Sequence, residues 1–224
     1  MTDIRFRPKY VSFDCYGTLI YFAMREATIP LIEDRLDAAG IERFLDRFRI
    51  YRYDEVLEYA PYEEILASSY TRTCRRFGLE VRPGDIEAIT SSVGTWGPHA
   101  DVPAPLAKMA ENFPLVILSN ADDKHLAVSV PKLGAPFHAV LTAEQAQAYK
   151  PRYAAFEYMF DTIGANPEDF LHISSHQRYD ILPADDLGMT NKVYLDRGYD
   201  PELPAYDYLS VKSLDDVNAA LGIR

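Results

Sequence analysis

The chain has 224 residues, the size of one globular domain or of a core with a modest insertion, and 48% of them are apolar, enough to bury a sizeable core. A formal net charge of -11 argues against nucleic acid or an anionic membrane surface as a partner. It leaves room for a small anionic substrate, because a local cluster of arginine and lysine can reverse the field inside one cleft. Two cysteines, Cys15 and Cys74, make no disulfide framework, which points to a reducing, cytoplasmic setting. The opening stretch MTDIRFRPKY has no apolar leader pattern, and no apolar run approaches ~18 residues, so neither secretion nor a membrane span is expected.

In chain order, KYVSFD reads as a short buried strand that ends on Asp14, with Gly17 marking the turn after it. Four helical stretches follow: REATIPLIEDRLDAAG, FLDRFRIYRYDEVLEY, YEEILASSYTRTCRRFG and RPGDIEAITSSVGTW. They are separated at Gly40, Pro61, Gly78 with Pro83, and GTWGP. Strands then return. PLVILSN (114–120), FHAVLT, DFLHISS and NKVYL alternate with helices expected over 123–133, 152–163 and 181–187. That alternation predicts an α/β fold with a parallel, Rossmann-like sheet covered on both faces. The expected domains are an α/β core from residues 1–20 and 98–224 and a helical cap from 21–97.

Parallel sheets of this kind bind ligands at the carboxyl ends of their strands. Those ends collect Asp14, Ser119 with Asn120, and Ser175 with Asp180, while Lys150 stands in the loop before a helix. Asp14 reads either as a turn former or as a nucleophile or ligand, and the company of the other strand-end residues favours the second. An ammonium from Lys150 would favour its ionised form. Thr18 is a turn residue or a hydroxyl donor to Asp14, and Ser119-Asn120 is a helix cap or a carboxylate-binding pair. In the cap, Arg49 is the first choice for binding a carboxylate or a leaving anion, with Arg47 and Arg52 as rivals. His172 and His176 lie four apart but span a strand-to-loop passage with no third ligand, so no metal is assigned to them.

With these residues in view, the chain resembles the haloacid dehalogenase superfamily, and most of all its L-2-haloacid dehalogenases (type II). FDCYGTL matches the first motif, LSN the second, YKP the third and HISSHQRYDILPADDLG the fourth. Phosphatases of the superfamily carry a second aspartate where this chain has Tyr16, and an acid where it has Ser175. The resemblance therefore implies a metal-independent hydrolase of short (S)-2-haloalkanoic acids, without a cofactor. A halide needs no proton to leave, and a substrate carboxylate is held by Arg, Ser and Asn rather than by magnesium. In that reading Asp14 attacks C2, Arg49 and Asn120 assist the halide, and Lys150 and Asp180 position water against the aspartyl ester. Donors around Thr18 stabilise the oxyanion. Tyr16, Ser119, Ser175 and Tyr179 line the substrate. The product is the 2-hydroxy acid with inverted configuration. A homodimer is also implied, since family members are often dimers.

Two departures stand out. Phe156 occupies the position of a family tyrosine, and the fourth motif is one residue longer and lacks an asparagine that could steer water, for which His176 or Gln177 would stand in. Related readings are opening of L-azetidine-2-carboxylate, a magnesium-dependent phosphatase, and a non-catalytic binding protein that keeps the fold.

Overall fold

The computed structural model describes residues 7–223. The chain divides into two compact units. One runs up to Tyr21 and resumes at Gly97, and the other is Phe22–Trp96.

The first unit begins with β1 (Tyr10–Phe13). After the second unit it continues through α5 (Pro103–Ala110), β2 (Leu115–Ser119), α6 (Asp123–Ser129), β3 (Ala139–Thr142), α7 (Ala143–Ala146) and α8 (Tyr153–Ile163). Then come β4 (Phe170–Ser174), α9 (Leu182–Asp186), β5 (Asn191–Leu195), β6 (Leu209–Val211) and α10 (Leu214–Ala220). Helices α1 to α4, which fall in the second unit, are Met24–Ile32, Ala38–Glu55, Tyr62–Arg76 and Asp85–Ser92. The strands form one sheet in the order β3-β2-β1-β4-β5-β6, and every pair is parallel. LVILS, FLHIS and NKVYL are buried along their whole length. A parallel sheet covered on both faces requires such continuous runs rather than alternation. On one face Phe156, Met159 and Phe160 of α8 pack with Val116, Leu118, Leu141 and Phe170 of the strands. Connections from β1 run one way to β2 and β3 and the other way to β4, β5 and β6. The switch point, where such sheets place ligands, therefore lies between β1 and β4.

The helical unit has its own core. Phe44 and Phe48 share one face of α2, and both meet the ring of Tyr70 of α3 edge-on at 5.8 Å. Full burial of each phenylalanine contributes ~1.5–3 kcal/mol relative to exposure. The Tyr70 hydroxyl donates to the buried carboxylate of Asp85 at 3.0 Å, which also accepts from the Arg82 amide at 2.9 Å.

One predicted boundary moves. Gly40 does not separate the first two helices: α1 stops at Ile32, and α2 starts at Ala38 with Asp37 as its cap. The Asp37 carboxylate accepts from the Gly40 amide at 2.7 Å. A Cβ on Gly40 would stand 2.9 Å from the same oxygen, so the glycine makes room for the cap instead of ending a helix. Helices α5, α7 and α10 and strand β6 were not anticipated. Their stretches are short, and β6 is only partly buried.

Candidate active site

The site is built from the turn after β1. Asp14 follows the strand, and its amide still donates to the Ile173 carbonyl of β4 at 3.1 Å, as though the ladder ran one residue further. The chain then reverses through Gly17 at φ +98°. The amides of Leu19 and Ile20 both return to the Cys15 carbonyl, at 2.8 and 2.9 Å. That turn carries Thr18 back beside Asp14, where its hydroxyl donates to Asp14 Oδ2 at 2.8 Å. With its hydrogen used there, Thr18 Oγ1 accepts from the Ser175 amide at 2.9 Å and from Ser175 Oγ at 3.1 Å. Ser175 follows β4, so the motifs after β1 and β4 are tied together across the switch point.

Lys150 supplies the charge. Its ammonium donates to Asp14 Oδ1 at 2.9 Å, to Asp180 Oδ1 at 2.6 Å and to the Leu118 carbonyl at 2.7 Å, which uses all three of its hydrogens. All three side chains are buried: Lys150 is 1% exposed, Asp14 5% and Asp180 0%. Burial alone would strip the lysine of its proton, but the charges of Asp14 and Asp180 more than offset it and hold Lys150 above the usual lysine value. Burial likewise disfavours the Asp180 carboxylate, yet the Lys150 charge and the His172 hydrogen bond bring Asp180 well below the usual carboxylate range. The thiol of Cys15, buried beside Asp14, is pushed far up, chiefly by burial, which leaves it inert.

Asp14, Thr18, Lys150, Ser175 and Asp180, gathered by the sequence motifs, thus form one hydrogen-bonded chain. Asn120 joins it through Lys150. Its side-chain oxygen accepts from the Lys150 amide and its Nδ2 donates to the Lys150 carbonyl, both at 2.7 Å. This amide clamps the loop that presents the ammonium, and only its second Nδ2 hydrogen lies outside that pair. Ser119 ends β2, is 2% exposed, and takes no side-chain hydrogen bond among the described residues. The Tyr16 hydroxyl is drawn onto α6, bonding Ser129 Oγ at 2.8 Å and donating to the His125 carbonyl at 3.3 Å. Tyr179 is half-buried and meets His176 edge-on at 5.9 Å. Arg49 lies in the helical unit on an exposed part of α2, 3.8 Å from Asp46 and over the Tyr53 ring. Its rivals differ: Arg47 is exposed, while Arg52 is partly buried with its guanidinium over Phe48 and Phe22.

One partner was missed. His172 Nε2 lies 3.0 Å from Asp180 Oδ1, and its Nδ1 lies 2.9 Å from Ser12 Oγ. Ser12 and His172 are register partners across β1 and β4, and Phe156 packs edge-on against the imidazole at 5.5 Å. A histidine inside an otherwise apolar strand was the available signal. The longer fourth motif also finds its explanation. Gln177–Ile181 forms a π-helical turn ahead of α9, the form in which a helix absorbs an extra residue, and it brings Asp180 to Lys150.

Magnesium favours octahedral oxygen ligation; here Asp14 and Asp180 share the Lys150 ammonium, and the Tyr16 hydroxyl bonds to α6. Among the described residues no group of three or more His, Cys, Asp or Glu assembles as a metal cluster. None of the described helices is long and apolar enough to cross a membrane.

No known family profile matches the chain. Individual relatives do. The (S)-2-haloacid dehalogenase 4A of Burkholderia cepacia is 27% identical over 209 residues, covering 89% of this chain and 87% of the relative. Among solved structures, the L-2-haloacid dehalogenase from Xanthobacter autotrophicus with chloropropionic acid covalently bound superposes with a TM-score of 0.76. It is 20% identical and covers 96% of this chain and 98% of that one. Magnesium-bound YfnB from Bacillus subtilis superposes at 0.82 with 16% identity, covering 97% of this chain and 100% of that one. The chain therefore has the α/β fold that these proteins share, and its curated relatives are haloacid dehalogenases, as the four motifs led us to expect.

Proposed function

We propose that this protein is a hydrolase of carbon–halide bonds that converts short (S)-2-haloalkanoic acids to 2-hydroxy acids without a metal. The observation that carries the reading is the Asp14 carboxylate: buried at the switch point, with one oxygen on the Lys150 ammonium and the other on the Thr18 hydroxyl. A carboxylate oriented in this way, in a site where water is scarce, is suited to attack carbon. In the proposed reaction Asp14 displaces the halide from the face of C2 opposite to it, which inverts that carbon and leaves an ester. Ser119 and the second Nδ2 hydrogen of Asn120 bind the substrate carboxylate, beside the Tyr16 ring and Tyr179. Water then attacks Cγ of Asp14, and the Thr18–Ser175 pair and Lys150 hold the charge that develops on the carboxyl oxygens.

The test is halide release from the separate enantiomers of 2-chloro- and 2-bromopropionate in the presence of EDTA, with Asp14→Asn as control. Release from the S enantiomer that survives EDTA and vanishes in the variant is the expected result. No release from either enantiomer refutes the reading. Phosphatase activity that rises with magnesium would replace it with metal chemistry.

A further inference from the structure

His176 stands outside the hydrogen-bond chain that joins Asp14 to Asp180, yet it is held on several sides. One edge of its ring lies on the turn after β1. A Cβ built on Gly17 would meet His176 Nε2 at 2.5 Å and Ser175 Oγ at 3.4 Å, so the imidazole occupies the space that the glycine leaves open beside Asp14 and Thr18. The ring stacks on Tyr199 at 5.6 Å and meets Tyr179 edge-on. Its Nδ1 is 3.8 Å from Asp200 Oδ2, and Asp200 is fixed in turn by the Gln177 amide, which donates to the same oxygen at 2.9 Å. One nitrogen therefore faces an acid and the other faces the nucleophile's turn. The same π-helical turn carries further buried polar atoms. Among the described residues, Asp180 Oδ2, both polar atoms of the Gln177 side chain and His176 Nδ1 itself, whose approach to Asp200 is an ion-pair contact rather than a hydrogen bond, find no hydrogen-bond partner. Buried groups of this kind are ordinarily satisfied by ordered water.

We propose that His176, oriented by Asp200, is the acid–base group that hydrolyses the ester formed on Asp14. The proposal rests on the dehalogenase reading above and assigns its second step. Burial disfavours an imidazolium here, but the Asp200 contact and the charges of Asp14 and Asp180 raise the proton affinity of His176 above the usual value. Esterification removes the Asp14 charge, and His176 then gives its proton to solvent more readily. The free base appears when water has to be activated. Water forms a bond to Cγ of Asp14 as its proton passes to Nε2. The tetrahedral centre breaks its bond to the substrate oxygen, and Nε2 returns the proton to that departing alkoxide. Asp14 is left as a carboxylic acid whose proton passes to His176, and the starting charges are restored.

Rapid-quench measurements on the purified full chain with (S)-2-chloropropionate test this, following halide, hydroxy acid and the mass of the Asp14 peptide. His176→Gln should release halide in a single burst and accumulate the ester, with hydrolysis slowed ~10²–10⁴-fold, the range for one positioned acid–base group. Asp200→Asn takes a negative charge away from the imidazole, so the acid limb of its hydrolysis profile should move to lower pH. Hydroxy acid formation at the wild-type rate in His176→Gln, with no ester on Asp14, overturns the proposal. If that variant does not fold, an unmoved acid limb in Asp200→Asn overturns it as well. A wild-type protein that releases no halide refutes the dehalogenase reading and this step with it, a result distinct from a wild type that turns over beside an unimpaired variant.

Discussion

Lys150→Met keeps the length and most of the volume of the side chain but removes the ammonium from between two buried carboxylates. The structure sets the scale of the loss. Two of the three Lys150 hydrogen bonds go to Asp14 and Asp180, the groups are almost wholly buried, and among the described residues no other lysine or arginine touches Asp180 Oδ1. Hydrogen bonds to charged groups contribute ~1.5–3 kcal/mol each, and breaking a buried pair by removing one partner costs ~3–5 kcal/mol. For a chain of this size, that corresponds to a melting point lowered by about 6–20 °C at pH 7. The pH dependence gives a second check. The folded-state value of Asp180 is depressed in the wild type, so its contribution is present above the unfolded value near ~3.9 and is lost as pH falls through the folded one. In the variant the cation that lowers it is gone, burial pushes Asp180 upward, and acid relieves the folded state. The gap between the two proteins should therefore narrow from pH 7 toward pH 4.5. Thermal melts by circular dichroism across that range, together with halide release, measure both effects. A variant that melts within ~2–4 °C of wild type at pH 7, with a gap that does not change with pH, would refute the reasoning.

Three other substitutions separate positioning from chemistry. Asn120→Ala removes both bonds to the Lys150 backbone and should cost ~1–3 kcal/mol in urea melts, with slower halide release because the ammonium loses its anchor. Tyr16→Phe removes the hydroxyl that bonds Ser129 and the His125 carbonyl of α6; it should cost ~1 kcal/mol and leave halide release nearly unchanged, and an abolished activity would show that the hydroxyl itself takes part. Gly17→Ala forces a side chain into φ +98° and against His176, so a loss of ~1–3 kcal/mol with accumulation of the ester is expected, and a variant that melts and turns over like wild type would contradict the close packing described for that turn.

Much of this molecule is written locally. Continuous apolar runs that end in polar residues identify β1, β2, β4 and β5, because a strand buried on both faces has no polar side to show. The turn chemistry after Asp14, and the alternation of strands with helices, suffice to place Asp14, Ser119, Ser175 and Asp180 at the same edge of a parallel sheet. Gly40 shows the limit of such local reading. A glycine normally marks a helix end, but whether it ends a helix or makes room for the cap at its start depends on where the Asp37 side chain goes.

The α/β class and the set of strand-end residues were legible in the sequence, since each follows from periodicity and turn chemistry within a few positions. The tertiary structure alone decided the partners. Lys150 and Asp14 are 136 positions apart, and Ser12 and His172 meet because β1 and β4 pair in one register. The Asn120 amide turns to the Lys150 backbone, the Tyr16 hydroxyl turns to α6, and a π turn absorbs the extra residue while setting His176 between Gly17 and Asp200. A side chain with several possible acceptors chooses among them by where the sheet places those acceptors, and that placement is fixed by the packing of the whole core.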